Sequence, residues 1–164
     1  MADNNNLLDT AAVVGPDLIA RSDTITVSET STGGLIAAML LAVPGASAYF
    51  KGATVPYSLP SRRRWLGMNR HSVADLEPMS EAMAMRFAQI AQQQLDSTWG
   101  LAELGIAGPT GAPYGVAAGT SVIAIAGPNP LSTTVITGHN DRQRNMRQFA
   151  TAAIALLSRA LESQ

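Results

Sequence analysis

The 164-residue sequence has no cysteine, which excludes disulfides, thiolate catalysis and zinc–thiolate sites. Histidine is scarce as well: His71 and His139 stand in unrelated segments with no visible cluster of carboxylates, so no metal site is expected. Charged residues make up 14% of the chain, against a usual share of roughly 25%. So few charges on a small domain imply a partly covered surface, and a homodimer or larger homo-oligomer is expected. The formal net charge of −1 leaves no electrostatic footprint for nucleic acid, and the run Arg62-Arg63-Arg64 is too short to create one. Lysine is nearly missing, Lys51 being the only one.

Long apolar runs are also absent. The longest, Leu35–Val43, is too short to cross a bilayer and ends in Pro44-Gly45, which suits a buried helix. The polar, acidic start at residues 1–10 lacks the basic segment of a signal peptide and is expected to be flexible. A single soluble domain over residues 1–164 follows, with a cytoplasmic location, no membrane partner and no cofactor as the default expectations.

What is present is an alternation of strand-like and helix-like segments. Thr24–Ser28, Ala53–Tyr57, Leu101–Ile106 and Ser121–Ala126 read as strands, with "LSTTVITG" as a possible hairpin partner of the last. Gly52 and Pro56 place the second strand at or near a sheet edge. Helical spacing marks the first segment, interrupted at Gly15-Pro16, and the stretch from Gly33 onward, apolar on most sides. Further helices are expected after Pro60 with Ser61 as a cap, after Ser80, and over the last twenty or so residues. The pattern predicts an α/β fold: a three-layer α/β/α sandwich with a mixed central sheet.

Three polar segments lie where a strand gives way to a loop: "SETSTGG" at 28–34, "YSLPSR" at 57–62 and "GIAGPTGAP" at 105–113. Ligands bind outside the carboxyl ends of strands in open α/β sheets, so these segments would share one rim. Singly, each has a plain reading. Ser and Thr before Gly-Gly begin a helix, Gly-Pro-Thr-Gly is a turn, and Arg62–Arg64 are a solvated helix face. The first segment is not a phosphate-binding Walker loop, since no Gly-Lys-Ser/Thr follows, and there is no G-x-S-x-G.

Together, and in this order, the three segments resemble the C-terminal domain of the CinA (competence/damage-inducible protein) family. The resemblance runs from about Leu18 to the terminal helix. It implies nicotinamide-nucleotide amidase chemistry, in which the carboxamide of nicotinamide mononucleotide is hydrolysed to the acid and ammonia. The family's Ala-Glu-Ser-Cys-Thr-Gly-Gly motif falls on Ser28–Gly34, which puts its nucleophilic serine at Thr30. Its Tyr-Ser-Asn-Glu-Ala-Lys motif falls on Tyr57–Arg62, with the lysine replaced by Arg62. The third motif is intact at Gly105–Pro109 with Gly111, and Arg142 and Arg147 lie near arginines of the family's last helix.

The resemblance therefore implies a catalytic set of Thr30, Tyr57 and Arg62. The ligand would contact Ser31, Thr32, Gly33, Gly34, Gly108, Pro109, Thr110 and Gly111, with the Gly33 and Gly34 N–H groups facing an oxyanion. The replacements change the chemistry. Arginine stays protonated and cannot accept a proton as a desolvated lysine does, although it can bind a phosphate or carboxylate bidentately. The threonine methyl crowds the attack path, which leaves Ser31 as a second candidate nucleophile if the loop turns differently. Lys51 lies about 20 Å from Tyr57 along an extended strand and cannot serve as the missing base. Two further readings stand beside the amidase: a non-catalytic nucleotide- or phosphate-binding module on the same fold, and a structural partner subunit.

Overall fold

The computed structural model describes residues 4–162. Residues 1–3 of the polar start lie outside the described residues. In chain order the elements are α1 (Asn4–Arg21), β1 (Ile25–Glu29), α2 (Leu35–Leu41), β2 (Phe50–Thr54), α3 (Leu59–Leu66), α4 (Glu81–Gln94), β3 (Trp99–Ile106), β4 (Thr120–Ala126), β5 (Leu131–Ile136) and α5 (Arg142–Glu162). The strands form one sheet in the order β2-β1-β3-β4-β5. β2, β1 and β3 run parallel, while β4 is antiparallel to β3 and β5 to β4.

Side chains alternate across the sheet, and each face has its own core. Ile25, Val27, Leu101, Ile123 and Ile125 point to the layer built from α1, α2 and α5. Ala102, Leu104, Val122 and Ala124 point to α4, with Leu66 of α3 beside them. Helices therefore cover both faces, and the fold is the three-layer α/β/α sandwich with a mixed sheet. No helix among the described residues is long and apolar enough to cross a membrane.

Local signals predict most boundaries, and the departures have physical causes. α1 runs unbroken through Gly15 and Pro16, where the sequence predicts an interruption. A Cβ at Gly15 would meet Val43 Cγ1 at 2.7 Å, so the glycine there serves close packing of α1. α2 is narrower than its composition suggests, since Ile36, Met39 and Leu40 are buried but Leu41 is exposed. β2 lies three residues earlier than predicted and stops before Pro56, which has no N–H for the ladder. α3 begins before Pro60, and Ser58 rather than Ser61 is its N-cap. Ser58 Oγ accepts from Ser61 N, and Ser61 Oγ accepts from Ser58 N, a reciprocal capping box. Lys51 is exposed and donates to the Leu95 and Asp96 carbonyls, which ties the edge strand to the end of α4.

Candidate functional site

Because β2, β1 and β3 are parallel, their carboxyl ends share one rim, and the three polar segments leave from it. β1 runs into the turn Thr30–Gly34, β2 into Val55–Ser58, and β3 into the loop that returns as β4. A cavity of ≈ 270 Å³ opens between them. Ser31, Tyr57 and Arg142 line it together with the loop residues Gly105–Gly108, Thr110–Ala112, Pro113 and Tyr114. Both tyrosines are more than half exposed. Arg142, at the first position of α5, donates to the Gly108 carbonyl at 2.6 Å.

Beneath the cavity lie two carboxyl groups with no access to solvent, Glu29 and Glu103. They are register partners on neighbouring parallel strands and project to the same face of the sheet. Like charges directly opposite one another repel, so the pair needs compensation. The turn after β1 supplies it. Thr30 N and Thr32 N both donate to Glu103 Oε2 at 3.1 Å. Ser31 Oγ donates to Glu103 Oε1 at 2.5 Å, and Ser121 Oγ of β4 to the same oxygen at 3.2 Å. Glu29 in turn takes the N–H groups of Ile36 and Ala37 at the start of α2, at 3.1 and 2.9 Å. Thr32 Oγ1 lies between the two, 2.5 Å from Glu29 Oε2 and 3.0 Å from Glu103 Oε2.

Burial pushes the Glu103 carboxyl above its ordinary proton affinity, and the nearby Glu29 pushes the same way. Hydrogen bonds from Ser31 and Thr32 oppose them. Space for the cluster depends on Gly105. A Cβ there would lie 2.2 Å from Ser31 Oγ and 2.5 Å from Glu103 Oε1, so any side chain would force the pair apart.

Of the residues singled out in the sequence, Ser31, Tyr57, Gly108, Thr110 and Gly111 line this cavity, and Thr30, Thr32, Gly33, Gly34, Pro109 and Arg62 do not. Thr30 is buried and contributes its N–H to Glu103. The Gly33 N–H donates to the Thr30 carbonyl. The donors at the start of α2 hold the protein's own Glu29 rather than facing the cavity. Arg62 lines a smaller neighbouring cavity with Leu59, Met68, Met83 and Phe87. Its Nε donates to the Pro56 carbonyl, and its guanidinium sits 5.4 Å from the centre of the Phe87 ring. Burial lowers its proton affinity, and the neighbouring Tyr114 acts in the opposite direction.

Sequence reasoning assigns no role to Glu29, Glu103, Tyr114 or Arg142. For Glu103 a signal exists: it is the one charged residue inside the apolar strand "WGLAELGI". A buried carboxylate in such a strand requires donors nearby, and the hydroxyl-rich turn supplies them. Among the described residues no group of three or more His, Asp or Glu could hold a metal ion.

The family model of the CinA C-terminal domain matches residues 8–161. A CinA-like protein of Anaeromyxobacter dehalogenans is 36% identical over 151 residues, which span 89% of this chain and 37% of that protein. A CinA-like protein of a Cyanothece species is 37% identical over 146 residues, spanning 89% of this chain and 35% of that protein. The chain thus covers little more than a third of these curated relatives. Among solved structures, a CinA superfamily protein from Klebsiella pneumoniae superposes with a TM-score of 0.88 at 25% identity, covering 96% of this chain and 99% of that one. A competence/damage-inducible protein from Agrobacterium tumefaciens reaches 0.86 at 23% identity, covering 94% and 95%, and supports the fold alone. Family model, curated relatives and architecture agree: the chain belongs to the CinA C-terminal domain family.

Proposed function

We propose that this domain hydrolyses a small amide, the carboxamide of nicotinamide mononucleotide or a close relative, with Ser31 as the nucleophile. One observation carries the reading: Ser31, almost fully buried, is part of the wall of an open cavity, and its Oγ donates to a buried carboxyl group at 2.5 Å. A serine hydroxyl is a weak nucleophile unless a neighbouring base takes its proton, and Glu103 is in place to do so. Thr30 supports the turn through its N–H instead. Tyr57 and Tyr114 offer aromatic faces and hydroxyls at the mouth, suited to a flat ring. Arg142 has five N–H donors, and its bond to the Gly108 carbonyl leaves others for a phosphate. Arg62, engaged with Pro56 and Phe87, acts as a wall beside Tyr114 and takes no proton.

Incubation with nicotinamide mononucleotide, with ammonia as the readout, tests the assignment. Ser31→Ala should lower kcat by at least about 10³-fold, whereas Thr30→Val should keep most of it. Arg142→Ala should raise KM more than it lowers kcat. Ammonia release that survives Ser31→Ala refutes the nucleophile. Calorimetric binding with no turnover in the unaltered protein would instead favour the non-catalytic nucleotide-binding reading, for which Arg142 and the Gly108–Gly111 loop suffice.

A further inference from the structure

Thr32 carries one hydroxyl proton, yet its oxygen lies within hydrogen-bond distance of two carboxyl oxygens, Glu29 Oε2 at 2.5 Å and Glu103 Oε2 at 3.0 Å. One proton cannot serve both contacts fully. If both acids were ionised, two negative charges would face each other across a single hydroxyl in a site closed to water. A second proton on one of the acids resolves the conflict. The shorter contact is to Glu29, so the Thr32 hydroxyl proton points there, onto a carboxylate that also takes two N–H groups at the start of α2. The extra proton then belongs on Glu103 Oε2, donated to Thr32 Oγ1.

We propose that Glu29, Thr32 and Glu103 hold one proton in common and form a relay that makes Glu29 the terminal acceptor of the Ser31 proton. The relay rests on the amidase reading, and its balance is simple. Ser31 Oγ bonds to the amide carbon, and the carbonyl π pair moves onto the carbonyl oxygen. The Ser31 proton goes to Glu103 Oε1, the Oε2 proton goes to Thr32 Oγ1, and the Thr32 proton goes to Glu29 Oε2. One proton has moved from Ser31 to Glu29. A negative charge has left the buried pair as another forms on the substrate oxygen, and Glu103 begins and ends neutral. When the tetrahedral intermediate collapses and the C–N bond breaks, the same path returns the proton to the departing nitrogen.

The surroundings suit this arrangement. β1 contributes Glu29, β4 contributes only the Ser121 hydroxyl, and α2 contributes N–H dipoles. α5 presents the Phe149 ring beside Gly105, and its charged residue at the cavity, Arg142, is engaged with the Gly108 carbonyl. The raised proton affinity of Glu103 agrees with a neutral Glu103 at rest. Glu29 and Thr32 act through Glu103 and are positioning residues, whereas Glu103 meets the reacting Ser31 Oγ directly.

Carbon-13 NMR of protein labelled at the glutamate carboxyl carbons tests the resting state without any substrate. Near neutral pH one of the two buried carboxyl signals should stand at the position of a protonated acid and be lost in Glu103→Gln. In Glu29→Gln the remaining Glu103 signal should move toward the ionised position at the same pH. Two ionised signals in the unaltered protein overturn the proposal, whatever the variants do. In the ammonia assay, Glu29→Gln and Thr32→Val should each lower kcat about 10²-fold at unchanged KM, while Thr32→Ser, which keeps the hydroxyl, should restore it. Equal activity of Thr32→Val and Thr32→Ser overturns the relay. A protonated Glu103 signal without turnover of any amide upholds the shared proton and removes the amidase reading, so the two claims fail separately.

Discussion

Strand β1 carries two buried polar sets on its alternating faces, and they have opposite fates. Toward α2 and α5, Glu29 joins Glu103 in a network in which seven donor groups converge on two carboxyls. Toward α4, the hydroxyls of Thr26 and Ser28, and of Thr54 beside them on β2, are buried with no hydrogen-bond partner among the described residues. Burial is similar in the two sets; access to free N–H groups differs. The carboxyls sit at the strand end, where Thr32 N and the start of α2 have donors that no ladder uses. The hydroxyls sit on the flat sheet, where backbone groups are already paired with neighbouring strands. A strand terminus can hold charge that the middle of the same strand could not.

Breaking the donor-rich side should have the largest effect. Glu103→Ala leaves Thr32 N buried without its acceptor, while Thr30 N keeps the carbonyl of residue 103, and the Ser31 and Ser121 hydroxyls lose their shared carboxyl oxygen; the change should cost roughly 3 kcal/mol or more in urea-induced unfolding. A cost near zero would mean that the turn is held by something else. Gly105→Ala attacks the same cluster by volume, since its Cβ would meet Ser31 Oγ at 2.2 Å. A destabilisation of about 1–3 kcal/mol and loss of amide hydrolysis are expected together.

Acidity offers a gentler probe of the same side. Because the folded protein raises the proton affinity of Glu103, the folded state binds this proton more tightly than the unfolded chain. The stability contributed by this group is complete below the ordinary glutamate range of roughly pH 4.3, and is lost as pH rises through the raised folded value. The stability of Glu103→Gln relative to the unaltered protein should therefore grow over that interval. Parallel stability curves would show that Glu103 is ionised without penalty. The smallest effect belongs to the other face. Thr26→Val and Ser28→Ala remove hydroxyls that have no partner, and each should change stability by less than about 1 kcal/mol, with a gain more expected than a loss. A loss of several kcal/mol at either position would mean that those hydroxyls are bonded in solution and would dissolve the contrast.

The layered fold is legible in the sequence because its signals are local. Alternating β-branched residues mark β1, β4 and β5, Ser80 caps α4, and the three motif segments fall at the shared rim of the parallel strands. What the sequence hides depends on pairs of distant residues. Which of Thr30 and Ser31 faces the cavity is decided by the path of the turn, and that path is fixed by Glu103, seventy-two residues beyond Ser31. Likewise the anion held by the N–H groups at the start of α2 is Glu29 of the protein itself, a partner that no composition signal names. Arg62 stands at a motif position, yet its surroundings depend on Phe87 in another helix.

The pairing of Glu29 with Glu103 also bears on how the chain finds its alignment during folding. Sliding β3 by one residue against β1 would turn Glu103 to the α4 side, where no N–H groups await it. Sliding it by two would keep the face but carry the carboxyl away from Thr30, Thr32 and Ser121. Each misalignment strands an acid in an apolar layer, a penalty of several kcal/mol if it stays charged. An all-apolar β3 would discriminate among these alignments only by shape. The carboxyl pair thus acts as an alignment key for the central strands, so the residues that would serve chemistry also proofread assembly of the sheet.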